Sequence, residues 1–260
     1  MLSTRVIPVL LLHKNGLYKT VKFKSPKYIG DPLNAIKIFN EKEVDELIVL
    51  DIDKSKRGEE PDFEMISAFA SECFMPVCYG GGITKIEQIQ KIFSIGIEKV
   101  ALNTAAFKNV QLIKEAVNLF GSQSIVAAID VKKNLFGKYK MYSHASRKIL
   151  KGDLYEYLKQ LNSLKVGEIF VNNVERDGTR LGYDVDLLTS LTELTNIPIV
   201  ACGGADELKD FKIAKEKGKV SAVSAGSMFV LKKPHNAVLI TYPTQDELNN
   251  VLNGEKNENI

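Results

Sequence analysis

One register runs through both halves of this chain. Pro76 and Pro198 stand 122 positions apart, and Gly81-Gly82 keeps that spacing to Gly203-Gly204. Gly96 with Gly218, Gly30-Asp31 with Gly152-Asp153, and Glu46 with Glu168 repeat it. Chance glycine matches do not hold one offset over so many positions, so the pattern reads as a duplicated array of supersecondary units. Any fold for the chain must divide into two similar halves related by a pseudo-two-fold axis.

The units are legible. Eight short apolar, β-branched runs recur with helical segments between them: Val6–Leu11, Leu47–Leu50, Pro76–Tyr79, Val100–Leu102, Ile125–Ile129, Ile169–Val171, Pro198–Ala201 and Ala222–Ala225. Near-continuous apolar strands alternating with amphipathic helices indicate a parallel sheet buried on both faces. Eight such units in 260 residues favour an α/β fold of one closed (β/α)8 TIM barrel built from two half-barrels. Asp31-Pro32 supplies a helix cap and a first-turn proline, and Thr84 with Glu87 reads as a capping box. Asp206 reads as the cap of the matching helix in the second half. The barrel is expected over residues 1–243, with a hairpin inserted at Lys132–Lys148. Residues 244–260 are expected to be a frayed polar tail.

Composition excludes several classes. The 35 basic and 32 acidic residues are spread along the chain and leave a net charge of +3. That makes no case for nucleic acid or a membrane, either of which needs a clustered basic face. Residues 1–12 lack a signal-peptide pattern and no apolar run reaches spanning length, so a cytoplasmic protein is expected. Cys73, Cys78 and Cys202 form no metal-like pair and read as reduced thiols. No metal cluster and no nucleotide fingerprint is present, so no cofactor is expected.

Chemistry in this fold belongs to the loops at the carboxyl ends of the strands. Gly81, Gly82 and Gly203, Gly204 fall at the ends of strands three and seven. Asn103, Thr104 and Gly226, Ser227 follow one strand later. Glycine lets backbone N–H groups approach an anion, so two symmetric copies suit a small molecule phosphorylated at both ends. The competing reading is that these glycines only make tight turns. Asp130 ends strand five, and Asp177-Gly178 follows strand six, both placed for acid–base work. Asp51 and Asp53 end strand two, where helix capping competes. At the other end of the barrel, Arg5, Glu46, Lys99 and Glu168 sit at strand starts and read equally as a polar gate or a structural salt-bridge cluster.

The stretches Asp45–Asp51, Gly80–Ile83, Lys99–Ala106, Phe120–Gln123 and Glu175–Thr179 closely resemble the cyclase subunit of imidazole glycerol phosphate synthase over roughly residues 1–230. The resemblance implies a glutaminase partner docked on the barrel bottom and ammonia passing up the barrel. It makes Arg5, Glu46, Lys99 and Glu168 the gate and the glycine turns the phosphate sites. It also implies an acid–base pair of aspartates ending strands one and five. Asp130 supplies the second, but Leu11 stands where the first belongs. Leucine cannot exchange a proton, and losing such a group costs about 10²–10⁴-fold in rate. Four further stretches, Arg5–Leu12, Lys19–Phe23, Ser71–Pro76 and Ala237–Pro243, resemble paralogues found with surface-polysaccharide genes. Those paralogues are implicated in acetamidino-sugar formation, in which a separate sugar amidotransferase uses the ammonia. The resemblance thus implies an ammonia-channelling subunit, with an active histidine cyclase or a non-catalytic glutaminase scaffold as the alternatives.

Overall fold

The computed structural model describes residues 4–254. Eight strands run parallel: β1 (Arg5–His13), β2 (Leu47–Asp51), β3 (Val77–Gly80), β4 (Lys99–Leu102), β5 (Ile125–Lys133), β6 (Glu168–Asn173), β7 (Ile199–Cys202) and β8 (Ala222–Ala225). Each pairs with the next, and β8 pairs back with β1, so the sheet closes and has no free barrel edge. This is the expected (β/α)8 barrel. Strand ends differ from the sequence reading by a residue or two, except that β5 continues four residues further, to Lys133, where it enters a hairpin.

Burial on both faces explains the apolar strands. Ile7, Val9, Ile48, Cys78, Val126, Phe170 and Val200 point inward and fill the barrel, while alternate residues such as Val6, Leu10 and Val49 pack against the surrounding helices. The helix Pro32–Glu41 starts as expected, with the Asp31 side chain accepting from the Asn34 N–H at 2.9 Å. Two caps differ. The helix Ile86–Ile95 is capped by Gln88, whose Oε1 accepts from the Thr84 and Lys85 N–H groups, and not by Glu87. The helix Leu208–Glu216 is capped in the same way by Asp210, which accepts from the Asp206 and Glu207 N–H groups. Gln88 and Asp210 are 122 positions apart, so the duplication reaches the capping residues.

The strand register tests the repeat directly. Leu50 of β2 lies beside Leu11 of β1, and Asn172 of β6 lies beside Asp130 of β5. Leu50 and Asn172 are 122 apart, whereas Leu11 and Asp130 are 119 apart: the chain between β5 and β6 is three residues longer. One further residue enters before β8, because Lys99 and Ala222, opposite Cys78 and Val200, are 123 apart. The offset is therefore local to each strand pair, and Leu11 is the pseudo-symmetric mate of Asp130.

Both half-barrels open with a hairpin at the mouth. β1 runs on into the antiparallel strands Gly16–Val21 and Lys24–Gly30, and β5 runs on into Tyr139–Ser143. The second hairpin is where the sequence reading puts it; the first carries no such forecast. The expected frayed tail is corrected in part. Residues Gln245–Asn253 form a helix with a Thr244/Glu247 capping box, and its buried Leu248 and Leu252 join the outer core. Apolar residues at helical spacing decide this over the polar composition around them. Residues 1–3, where a leader was judged absent, and 255–260 lie outside the described residues.

Candidate functional site

The carboxyl ends of the strands open into one cavity. Gly81, Gly82, Asn103, Thr104, Asp177, Gly178, Gly203, Gly204, Gly226 and Ser227 all line it, together with Asp130 and Leu11. The fold thus brings these mouth residues together with Asp51, while Asp53 does not line the cavity.

Asp130 is 7% exposed, and Asn103 Nδ2 donates to its Oδ2 at 2.9 Å. Burial pushes its carboxyl up to about 7; the Asn103 hydrogen bond opposes the rise and the charge of Asp177 adds to it. A carboxyl that titrates near neutrality is matched to proton transfer. Leu11 and Leu50 pack as an apolar wall beside the inner core. Their pseudo-symmetric mates are Asp130 and Asn172, so these two strand ends are apolar where their mates are polar.

Lys19 was missed in the sequence. It comes from the first hairpin, is 8% exposed, and donates from Nζ to the Val9 carbonyl at 2.6 Å. Burial pushes its ammonium down to about 8, opposed chiefly by the charge of Asp177. A Cβ on Gly226 would lie 1.9 Å from Lys19 Nζ, so Gly226 is the residue that admits the lysine. The stretch Lys19–Phe23 stood out only by its resemblance to the paralogues, and nothing in it marked Lys19 as a cavity residue. Asp177 fastens the same hairpin: its Oδ2 accepts from Thr20 Oγ1 at 2.9 Å and its carbonyl from the Lys22 N–H at 2.9 Å. Burial raises its carboxyl, against Lys19 and the Thr20 hydrogen bond. Arg180, Asn172 and His144 also line the cavity without having been foreseen. Asn172 Oδ1 and Arg180 Nε are buried without hydrogen-bond partners among the described residues.

The glycines answer to packing as well as to any ligand. Gly81 has φ +132°, and a Cβ there would lie 2.5 Å from the Asp51 carbonyl; Gly203 has φ +94° and would meet the Asn173 carbonyl at 2.8 Å. The tight-turn reading is therefore satisfied, and the cavity lining is an additional property of the same residues. Asp51 acts as a cap, accepting from the Asp53 and Lys54 N–H groups, and Asp53 binds His13 Nδ1 at 2.8 Å.

At the opposite end, Arg5, Glu46, Lys99 and Glu168 close a ring. Arg5 bonds both carboxylates, and Lys99 Nζ lies 3.0 Å from Glu46 and 3.1 Å from Glu168. The ring is neutral overall. Burial lowers the Arg5 pKa, but Glu168 and Glu46 outweigh it and the guanidinium ends up raised. Between ring and cavity lie the inward-facing apolar side chains of the strands. Among the described residues no cluster could hold a metal ion, and no helix is long and apolar enough to cross a membrane.

The family model described as "Histidine biosynthesis protein" matches residues 5–234. The chain is 50% identical over 248 residues to the "Putative imidazole glycerol phosphate synthase subunit hisF2" of Pseudomonas aeruginosa, covering 95% of this chain and 99% of the relative. It is 47% identical to the hisF3 protein of Vibrio vulnificus, over 97% of each chain. A Leptospira borgpetersenii HisF relative is 45% identical, over 94% of this chain and 96% of its own length.

Proposed function

The chain belongs to the histidine biosynthesis protein family, as a barrel of the cyclase-subunit kind, and on that premise we propose that it conducts ammonia rather than completing the cyclase reaction. A glutaminase docks on the ringed end of the barrel and releases ammonia there. The neutral ring of Arg5, Glu46, Lys99 and Glu168 is the gate. The apolar lumen above it passes neutral ammonia and disfavours ammonium, because an unpaired charge is costly to desolvate. The ammonia emerges beside Asp130 and serves acetamidino-sugar formation for a surface polysaccharide, with a sugar amidotransferase as acceptor in the cytoplasm. Gly81, Gly82, Asn103, Thr104, Asp177, Gly178, Gly203, Gly204, Gly226 and Ser227 bind a phosphorylated small molecule at the mouth.

The observation that carries this reading is Leu11 as the pseudo-symmetric mate of Asp130. A reaction that needs one carboxyl to give a proton while the other takes one is left with a single group. Asp130, placed near neutrality, keeps a second reading alive: a cyclase working through that one carboxyl. Turnover of purified protein with ammonium salts and the family's ribulosyl substrate separates the two. The proposal expects a rate about 10²–10⁴-fold below an ordinary cyclase, partly restored by Leu11→Asp. Wild-type turnover at the ordinary rate would sink it.

A further inference from the structure

The basic residues that look dispersed along the sequence are gathered by the fold. Residues 14–30 and 131–152, which contain the two mouth hairpins, carry twelve lysines and arginines and no aspartate or glutamate. The rest of the chain then holds 23 basic against 32 acidic residues. The hairpins meet across the mouth, where Phe23 lies 6.1 Å from Tyr142 and 5.4 Å from His144, ring to ring. Lys19 turns into the cavity, and Lys140 reaches Asp153 at 3.8 Å. The other ten have no ion pair among the described residues. The turn of the second hairpin projects Leu135 and Phe136 at 101% and 86% exposure, next to Lys133 and Lys138. Val21 and Tyr28 are half-exposed on the first hairpin among Lys22, Lys24 and Lys27.

We propose that this collar seats the mouth of the barrel on an anionic lipid bilayer, peripherally, with Leu135 and Phe136 entering the headgroup region. The inference rests on the hairpins and not on the ammonia reading; where both hold, the acceptor enzyme takes the ammonia at the cytoplasmic face of the bilayer. Three features select a lipid surface. Eleven of the twelve charges are lysine, a residue depleted from protein interfaces but effective as a diffuse charge beside acidic headgroups. The apolar pair stands at a protruding turn with lysines on both stems, so the stems reach the headgroups while the tip enters the interface. No aspartate or glutamate within the two hairpin segments neutralises these cations, so the field at the hairpins stays positive. Edge protection of the strand Lys24–Gly30 accounts for Lys24 and Lys27. It does not account for Leu135 and Phe136, which a protected edge would make polar.

Co-sedimentation of the full chain with vesicles tests the proposal. Vesicles of phosphatidylcholine and phosphatidylglycerol in equal parts are expected to bind it, and phosphatidylcholine alone is not. The pair Lys133→Glu with Lys138→Glu lowers the partition coefficient about tenfold or more, and Leu135→Ser with Phe136→Ser lowers it while leaving the salt dependence unchanged. All four positions are exposed, so unchanged thermal unfolding is expected and separates lost binding from lost folding. Lys42→Glu with Lys114→Glu, exposed positions at a helix end and on a helix outside the collar, changes net charge equally and is expected to bind as wild type. Equal loss in this control overturns the proposal, as does full binding by the Leu135/Phe136 variant. Indifference to phosphatidylglycerol also overturns it and assigns the collar to an acidic protein or a nucleic acid instead.

Discussion

Removing one carboxylate from the barrel-bottom ring should cost more than removing a matched pair. Glu46 accepts from both Arg5 and Lys99, and its side chain is only 4% exposed. Glu46→Gln keeps the shape, deletes the charge, and turns an amide donor toward two cations that can only donate. The carboxylate accepts from Arg5 at Oε2 and from Lys99 at both oxygens, bonds between ions worth about 1.5–3 kcal/mol net each; the amide keeps only the contacts its one oxygen can accept, each weaker because the acceptor is neutral. Arg5 is 30% exposed and recovers some hydration, so we expect a loss of about 2–3 kcal/mol. Lys99→Met alone leaves two carboxylates facing Arg5 and costs about 2 kcal/mol. The double variant leaves Arg5 with Glu168 as a neutral pair, so its cost stays near about 2 kcal/mol, giving a coupling of about 2–3 kcal/mol. Urea unfolding of the four proteins closes the cycle. Thermal midpoints should fall by about 5–10 °C for Glu46→Gln and recover in part in the double variant. Single costs that add to within about 0.5 kcal/mol would refute the ring as one coupled unit.

Asp130 makes stability depend on pH. Its folded pKa of about 7 lies above the unfolded value, so the folded state holds the extra proton between them. Its contribution is therefore full below about pH 4 and is lost as pH rises through about 7. Asp130→Asn keeps an acceptor for Asn103 and should unfold at higher urea than wild type at about pH 8, by up to roughly 3–4 kcal/mol, with no gain near about pH 4. An equal gain at both pH values would contradict the buried carboxyl. Gly178→Ala puts a Cβ 2.2 Å from the Thr20 carbonyl at φ +68°, so the first hairpin should lose its seat. Hydrogen exchange should then speed up across Gly16–Val21 while the barrel strands keep their protection; unchanged exchange would show that the hairpin is held elsewhere. Ending the chain after Pro243 removes Leu248 and Leu252 from the outer core and should cost about 2–4 kcal/mol in urea unfolding, where a frayed tail would cost nothing.

The sequence by itself determined the barrel, its two halves and the ends at which charge and glycine gather. Those follow from short-range rules: apolar runs buried on both faces, caps and turns at fixed spacing, and an offset countable in one dimension. Arg5, Glu46, Lys99 and Glu168 were legible because strand starts in a closed parallel barrel share one end. Leu11 was legible as a departure, yet only the strand register fixed it as the mate of Asp130, since a three-residue difference breaks the count. The tertiary structure alone decided what lies across the mouth. Lys19, Asn172, Arg180 and His144 reach the cavity from a hairpin, a strand end and two loops whose approach no periodicity encodes. Charge is the plainest case. Twelve basic residues are diluted along the chain by distant acids, and only the folding of two hairpins over one end turns that composition into a field.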